Sequence, residues 1–229
     1  MFNQILYQLD SPWELFVLFL FLILFLIFFG EFGYKKKILS ASSNRAIIHL
    51  FTGLAVSSSP FLFPNKIQPI ILAFLFLFIN LISYKNNKLN SFHDIGRESL
   101  GTIYFPLSFI LISGLFWDYS YQIAASYIIL AIADPLASFV GNRKRSVHKY
   151  NIAGDIKSIE GSAAMFTATL VLMTLVSRFI FINFDILNTT IAIIICSIAI
   201  TFSESISSKG SDNLTIPITA FLFIELFNH

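Results

Sequence analysis

The sequence predicts an all-α integral membrane protein, a polytopic bundle of seven to eight transmembrane helices with its N-terminus outside. Three observations lead there. The 229 residues are 56% hydrophobic, 16% aromatic and only 12% charged, where a soluble domain carries about 25% charged residues. Apolar runs recur along the chain, as from Leu15 to Phe29 and from Ile70 to Ile79, and the 27 Phe side chains are more than a water-soluble fold could hide. Lys and Arg gather in alternate loops. No large polar insert interrupts the pattern, so residues 1–229 read as a single polytopic domain whose solvent is the lipid bilayer. The net charge of +2 gives no attraction to a nucleic-acid polymer. Cys196, the one cysteine, lies in an apolar run and offers neither a disulfide nor a thiolate metal site.

Crossing about 30 Å of hydrocarbon takes about 20 residues of helix, and seven segments qualify in order. Trp13–Phe32 comes first; Asp10 and Glu14 flank its start and no Lys or Arg precedes it, so it does not read as a cleavable signal peptide. Ala46–Phe63, Ile67–Tyr84, Ser99–Phe116, Ile123–Val140, Gly161–Ile182 and Ile186–Phe202 follow. Leu214–Phe227 has 14 residues and contains Pro217 and Glu225, which suits either a short span or a re-entrant helix. Between the fifth and sixth segments, Asn142 to Lys157 reads as a loop, with Gly154 and no apolar periodicity.

Orientation follows from the cations. Lys35, Lys36, Lys37 and Arg45 follow the first span, and Lys85, Lys88 and Arg97 the third. Arg143, Lys144, Arg145, Lys149 and Lys157 follow the fifth, and Lys209 the seventh; of the 15 Lys and Arg, only Lys66 and Arg178 fall on the other side. Cytoplasmic loops hold the excess of Lys and Arg, so the odd-to-even loops are expected inside.

Polar residues in or beside a span are costly and mark candidate function. His49, Arg97, Glu98, Asp134, Lys157, Ser158, Glu160, Glu204, Asp212 and Asn213 all fall in cytoplasmic loops or near the cytoplasmic ends of spans. Asp134, six residues before Val140, sits about 9 Å below the end of its span at 1.5 Å per residue, the depth of a lipid headgroup. Around it, Ala133, Ala137 and Gly141 recur every four residues, a small-residue stripe that lets a neighbouring helix approach. The Asp134 carboxylate is either a structural acceptor for a neighbouring helix, beside a backbone loosened by Pro135, or a Mg²⁺ ligand or general base for a lipid hydroxyl. Lys157, Ser158, Gly161 and Ser162 open the sixth span and suit a phosphate seat at a helix N-terminus; Lys157 alone also suits an interfacial anchor. Glu204, Asp212 and Asn213 add oxygen ligands of the kind Mg²⁺ takes together with substrate phosphates, although Asp212 and Asn213 also suit a helix cap. For His49 the competing role is an interhelical hydrogen bond.

Taken together these strings resemble the CTP-dependent lipid-alcohol kinases: dolichol, phytol and farnesol kinases and the yeast-type CTP-dependent diacylglycerol kinase. The resemblance is carried by Arg97-Glu98 with Gly101 and Tyr104; by Ala133-Asp134-Pro135 with Ala137, Ser138 and Gly141; by Lys157-Ser158 with Glu160-Gly161-Ser162; and by Glu204 followed by Asp212-Asn213-Leu214 and Pro217. Arg45, His49 and Gly53 look like the family's early helix. The match spans about residues 45–220. Arg145 stands where the family often has a second glycine after Gly141.

The resemblance implies a kinase that transfers the γ-phosphate of CTP to a long-chain isoprenoid alcohol of the phytol or polyprenol type, with Mg²⁺, from the cytoplasmic side of a multi-pass membrane domain. It implies Asp134, Lys157 and Glu204 as catalytic residues and Arg97, Ser158, Gly161, Ser162 and Asn213 as nucleotide-binding residues. Asp134, Glu204 and Asp212 are the implied metal ligands. The alternatives are a CTP-dependent diacylglycerol kinase, a phosphatidate cytidylyltransferase-like enzyme that makes a CDP-lipid, and a small proton-coupled transporter. The one-sided cluster speaks against the transporter, whose site belongs near the midplane.

Overall fold

The computed structural model describes residues 11–38, 40–85, 100–143, 148–181 and 185–227. Its elements are α1 (Pro12–Lys35), α2 (Ala41–Leu62), α3 (Ile67–Lys85), α4 (Gly101–Phe116), α5 (Ser120–Gly141), β1 (Lys149–Ile152), β2 (Asp155–Ser158), α6 (Ile159–Ile180), α7 (Ile186–Ile206) and α8 (Asp212–Leu226). Arg97 and Glu98 lie outside the described residues.

Local chemistry starts these helices where the sequence says it should. Ser11 precedes Pro12 and accepts from the Trp13 N–H; Ser158 accepts from Gly161 N–H, and Asp185 from Asn188 N–H. Each satisfies one of the donors that a helix start leaves unpaired.

Five helices, α1, α3, α5, α6 and α7, are long and apolar enough to cross a membrane, as expected of a polytopic bundle. α4 is apolar but shorter, with 16 residues, and α2 is long but carries Asn44, Arg45, His49, Thr52 and a run of serines. α8 is a continuous helix of 15 residues despite Pro217. At its far end Gln122 of α5 donates to Glu225 at 3.2 Å, so α8 runs alongside α5 rather than turning back.

α5 is the centre. Ile123, Tyr127, Ile129, Leu130, Ala131 and Ala133 are fully buried on all its faces, the signature of a helix enclosed by others, and α2, α6 and α8 pack round it. The Tyr127 hydroxyl is buried and paired with Ser108 Oγ at 3.0 Å. Outward-facing Phe21, Phe25 and Phe28 on α1, among many others, stay exposed and form the apolar jacket that a bilayer solvates. Cys196 is buried and free.

Two glycines set how closely helices approach. A Cβ on Gly53 would stand 2.5 Å from the Ala131 Cβ, which locks α2 against α5. A Cβ on Gly161 would meet the Ala137 carbonyl at 3.1 Å and Gly141 Cα at 3.3 Å. The stripe of Ala137 and Gly141 is thus where α5 and α6 touch backbone to backbone.

The segment read as a featureless loop corrects one expectation. Lys149–Ile152 and Asp155–Ser158 form an antiparallel hairpin, with Tyr150 opposite Lys157 and Ile152 opposite Asp155. Ala153 and Gly154 both have positive φ, 48° and 95°, the requirement of a two-residue turn that matches strand twist. Asn151 Oδ1 accepts the Gly154 N–H at 2.9 Å. Strands of four residues show too little alternation to be seen in the sequence, and the turn uses Ala-Gly in place of the more telling Asn-Gly.

Candidate active site

The hairpin closes one side of a cavity of about 710 Å³ at the end of the bundle where α2, α6 and α8 begin and α5 and α7 finish. Asp134, Lys157, Ser158, Gly161, Ser162, Glu204, Asp212 and Asn213 all line it. Four helices and a strand supply them, so their convergence is tertiary.

Lys157, on β2, is the hub. Its ammonium donates to the Glu204 carbonyl at 2.9 Å and to Glu204 Oε1, and pairs with Asp212 Oδ2 at 3.8 Å. Burial acts to lower the Lys157 pKa, but the charges of Asp212, Glu204 and Asp134 outweigh it and hold the ammonium above its ordinary value. Glu204 is 5% exposed, and its Oε2 is buried with no hydrogen-bond partner. An unsatisfied carboxylate oxygen in such a place costs free energy unless something binds it, and Glu204 is one of the residues that line the cavity.

Asp212 and Asn213 do not cap α8; the cap position is Ser211, which makes no side-chain cap bond, and the two residues form the first turn. Asp212 Oδ1 accepts from the Asn213 backbone N–H and side-chain amide at 3.0 and 3.1 Å, which leaves Oδ2 directed to Lys157. Ser158 Oγ caps α6 through Gly161 N–H at 3.0 Å. The Tyr150 hydroxyl donates to Ser205 O at 3.4 Å, so at 3.2 Å it accepts from the Ser162 hydroxyl. Both serines thereby fasten hairpin and helix while facing the cavity.

His49 Nε2 is 3.1 Å from Leu130 O. A carbonyl only accepts, so Nε2 carries the hydrogen and His49 makes the interhelical bond, to the residue five positions before Pro135. Asp134 Oδ2 stands 3.9 Å from the same nitrogen. Glu160 takes no part in the cavity; it pairs with His148 at 3.0 Å on the exposed side of the hairpin.

Three residues join the site that sequence reasoning did not assign to it. Arg45 lines the cavity from α2. Asp155 Oδ2 accepts the Lys209 N–H at 2.5 Å, and Lys209 O accepts Leu100 N–H at 2.9 Å. The α7–α8 turn is thus tied to the hairpin and to the start of α4. Lys209 itself has φ 52°, a left-handed conformation those bonds hold in place. No local pattern signals a contact between residues 54 apart.

Among the described residues, no three His, Cys, Asp or Glu side chains converge as a ready-made metal cage; the Lys157 ammonium stands between Glu204 and Asp212 instead. This donor set fits Mg²⁺ of the kind that keeps few protein ligands and arrives with phosphates, and the orphaned Glu204 Oε2 is an oxygen such an ion would take.

A second cavity, of about 130 Å³, adjoins the first. It is walled by α1, α2, α3 and α4, is mostly apolar, and shares Arg45, His49 and Asn213 with the polar cavity.

A fold with membrane-length apolar helices, a charged cavity at one end and an apolar cavity that shares three lining residues with it suits an enzyme that works on a lipid. Over 188 residues the chain is 33% identical to phytol kinase of Synechocystis sp., an alignment that covers 80% of this chain and 78% of that protein. No family model matches the chain, and no solved structure does. The chain belongs to the lipid-alcohol kinase family that includes phytol kinase, and it is a phosphotransferase.

Proposed function

We propose that the protein transfers the γ-phosphate of CTP to the hydroxyl of a long-chain isoprenoid alcohol, of the phytol or polyprenol kind, at the cytoplasmic face of a membrane. The observation that carries this reading is the joining of the two cavities at His49, beside Asp134. A hydroxyl there has a carboxylate within reach and an apolar slot behind it. In this reading the acceptor oxygen bonds to the γ-phosphorus, the bond from that phosphorus to the β–γ bridging oxygen breaks with its electron pair going to CDP, and the hydroxyl proton passes to Asp134. Lys157, Arg45 and Arg97 bind triphosphate oxygens, and the first turn of α6 with Ser158, Gly161 and Ser162 seats a phosphate. Asn213 holds Asp212 in place. Mg²⁺ would be held mainly by phosphate oxygens with Glu204 and Asp212, leaving Asp134 for the proton, and would neutralise charge on the triphosphate. Phosphoryl transfer needs mainly such positioning and charge neutralisation.

An isoprenoid alcohol suits the apolar slot better than diacylglycerol, whose two esters would have to find partners among Thr52, Ser59, Asn80 and Thr102, and the hydroxyls of Thr52 and Ser59 already donate to helix carbonyls. The cation-rich end of the bundle carries Lys35, Arg45, Lys85, Arg143, Lys149, Lys157 and Lys209, and Lys66 and Arg178 mark the opposite end, which supports a cytoplasmic site. The test is a product assay on purified protein with CTP and candidate alcohols, with excess ATP or GTP as competitor. Alcohol-dependent CDP release is expected, and Asp134→Asn should abolish it without lowering the melting temperature. Pyrophosphate release would instead make the protein a cytidylyltransferase, and equal use of ATP would remove the CTP assignment.

A further inference from the structure

The apolar cavity has a measurable length and a definite floor. On α2 its lining recurs at His49, Thr52, Val56, Ser59 and Phe63, one continuous stripe of the helix. From His49 to Phe63 is about 21 Å at 1.5 Å per residue. At the far end the Phe19 and Phe63 rings meet edge to face, centroids 5.2 Å apart and planes at 76°, and both side chains are buried. The slot exists because α2, though next to α3 in sequence, packs on α5 and on α1, while α3 packs on α4. The seam between these pairs is left for α1 to cover.

We infer that the Phe19–Phe63 pair is the chain-length gauge of the acceptor slot: the alcohol's hydroxyl sits beside His49 and Asp134, its chain runs along α2, and its end abuts the two rings. This rests on the lipid-alcohol kinase reading and adds a specificity determinant to it. With C–C bonds of about 1.5 Å and angles near 111°, a carbon chain advances about 1.25 Å per carbon, so a C20 prenyl alcohol with about 16 main-chain carbons spans about 19 Å. That fits between His49 and Phe63. A C55 polyprenol, with about 44 main-chain carbons, would span about 54 Å on the same basis and cannot end inside.

At about 130 Å³ the slot compares with an engineered cavity of about 150 Å³ that holds one benzene, so a whole chain enters only as a wall withdraws. The stretch of α1 around Ile23 and Ile27 is the wall able to do so, pivoting about the Phe19–Phe63 contact so that the floor stays in place. Leu15, Phe19 and Ile23 are the buried apolar side chains of α1, and most of the rest of its surface faces outward. Moving it exchanges a few protein contacts for contacts with the lipid chain itself.

The test presents C10, C20 and C55 prenyl alcohols at equal surface concentration to the full-length enzyme in nanodiscs. Adding or removing one methylene in an apolar pocket changes kcat/KM by about 10–200-fold. Wild type is therefore expected to prefer C20 over C55 by about tenfold or more. Phe63→Ala should shrink that preference. Val56→Phe, about 10 Å from His49 along α2, should retain the C10 alcohol while losing C20 turnover by about tenfold or more. In parallel, a C20 alcohol with a diazirine at the end remote from its hydroxyl should label the peptides around Phe19 and Phe63. Unchanged C20-to-C55 and C10-to-C20 ratios in both variants, or labels scattered over the outer faces, would overturn the gauge. Labelling at Phe19 and Phe63 with no alcohol phosphorylated would uphold the slot and sink the kinase reading.

Discussion

Replacing Lys157 by Met removes the charge at the hub of the cavity while keeping most of the side chain's volume. At 3.8 Å from Asp212, a unit charge pair is worth about 4 kcal/mol gross at an effective dielectric of 20, and Glu204 adds a second, closer pair. The side chains of Lys157 and Glu204 are 15% and 7% exposed, so solvent screens little of this. Stripping one partner from such a buried pair typically costs about 3–5 kcal/mol, because the remaining charge is left uncompensated. For a chain of this size each kcal/mol moves the melting temperature by about 2–4 °C, so Lys157→Met is expected to melt about 6–20 °C lower. In Lys157→Met/Glu204→Gln the abandoned carboxylate is neutral as well, and more than half of the loss should return. Turnover should not return: loss of a charge that stabilises a transition state costs about 10²–10³-fold, and both variants lack it. Thermal melts of detergent-solubilised protein beside a lipid-phosphorylation assay read both quantities. A double variant that melts as low as the single one would refute the pairing. A double variant that recovers turnover along with stability would make the cluster structural and end its role in chemistry.

Three further outcomes are expected. Because the Lys157 pKa is raised in the fold, its contribution to stability is fully present below its ordinary value of 10.5 and fades only as pH rises through the higher folded value; the melting-temperature difference between wild type and Lys157→Met should therefore hold up to about pH 9 and shrink toward acid pH, where the carboxylates the variant leaves unpaired take up protons. Gly161→Ala drives a Cβ to 3.1 Å from the Ala137 carbonyl, and overpacking of this kind costs about 1–3 kcal/mol; a lower melting temperature with reduced turnover is expected, and unchanged values would show that α5 and α6 separate freely. In a Cys196→Ser background, single cysteines at Lys36 and Lys149 should resist an impermeant thiol reagent in intact cells, and labelling of either would reverse the proposed orientation.

Much of the site was legible before any folding was considered. In a chain this apolar, Asp134, Glu204 and His49 stand out because a polar group in hydrocarbon must be satisfied or functional, and the alternation of cations already grouped them at one end. The small-residue stripe at Ala137 and Gly141 likewise announced a close helix contact, since only missing side-chain atoms let backbones meet. What each of these groups does was decided by partners far away in the chain. That His49 braces two helices depends on Leu130, and that Asp212 both steadies Asn213 and faces an ammonium depends on how Asn213 and Lys157 divide its two oxygens. The hairpin escaped notice because four-residue strands gain their stability from pairing and from ties to Ser205 and Lys209, not from their own pattern. An apolar slot for a lipid chain behind Asp134 can be expected from spans so rich in Phe, Leu and Ile, but not which helices wall it. Periodicity shows that a helix has an inward face but not which helix meets it, and the seam arises because α2 prefers α5 at Gly53 over its neighbour α3, a choice made by side-chain shape across the whole bundle.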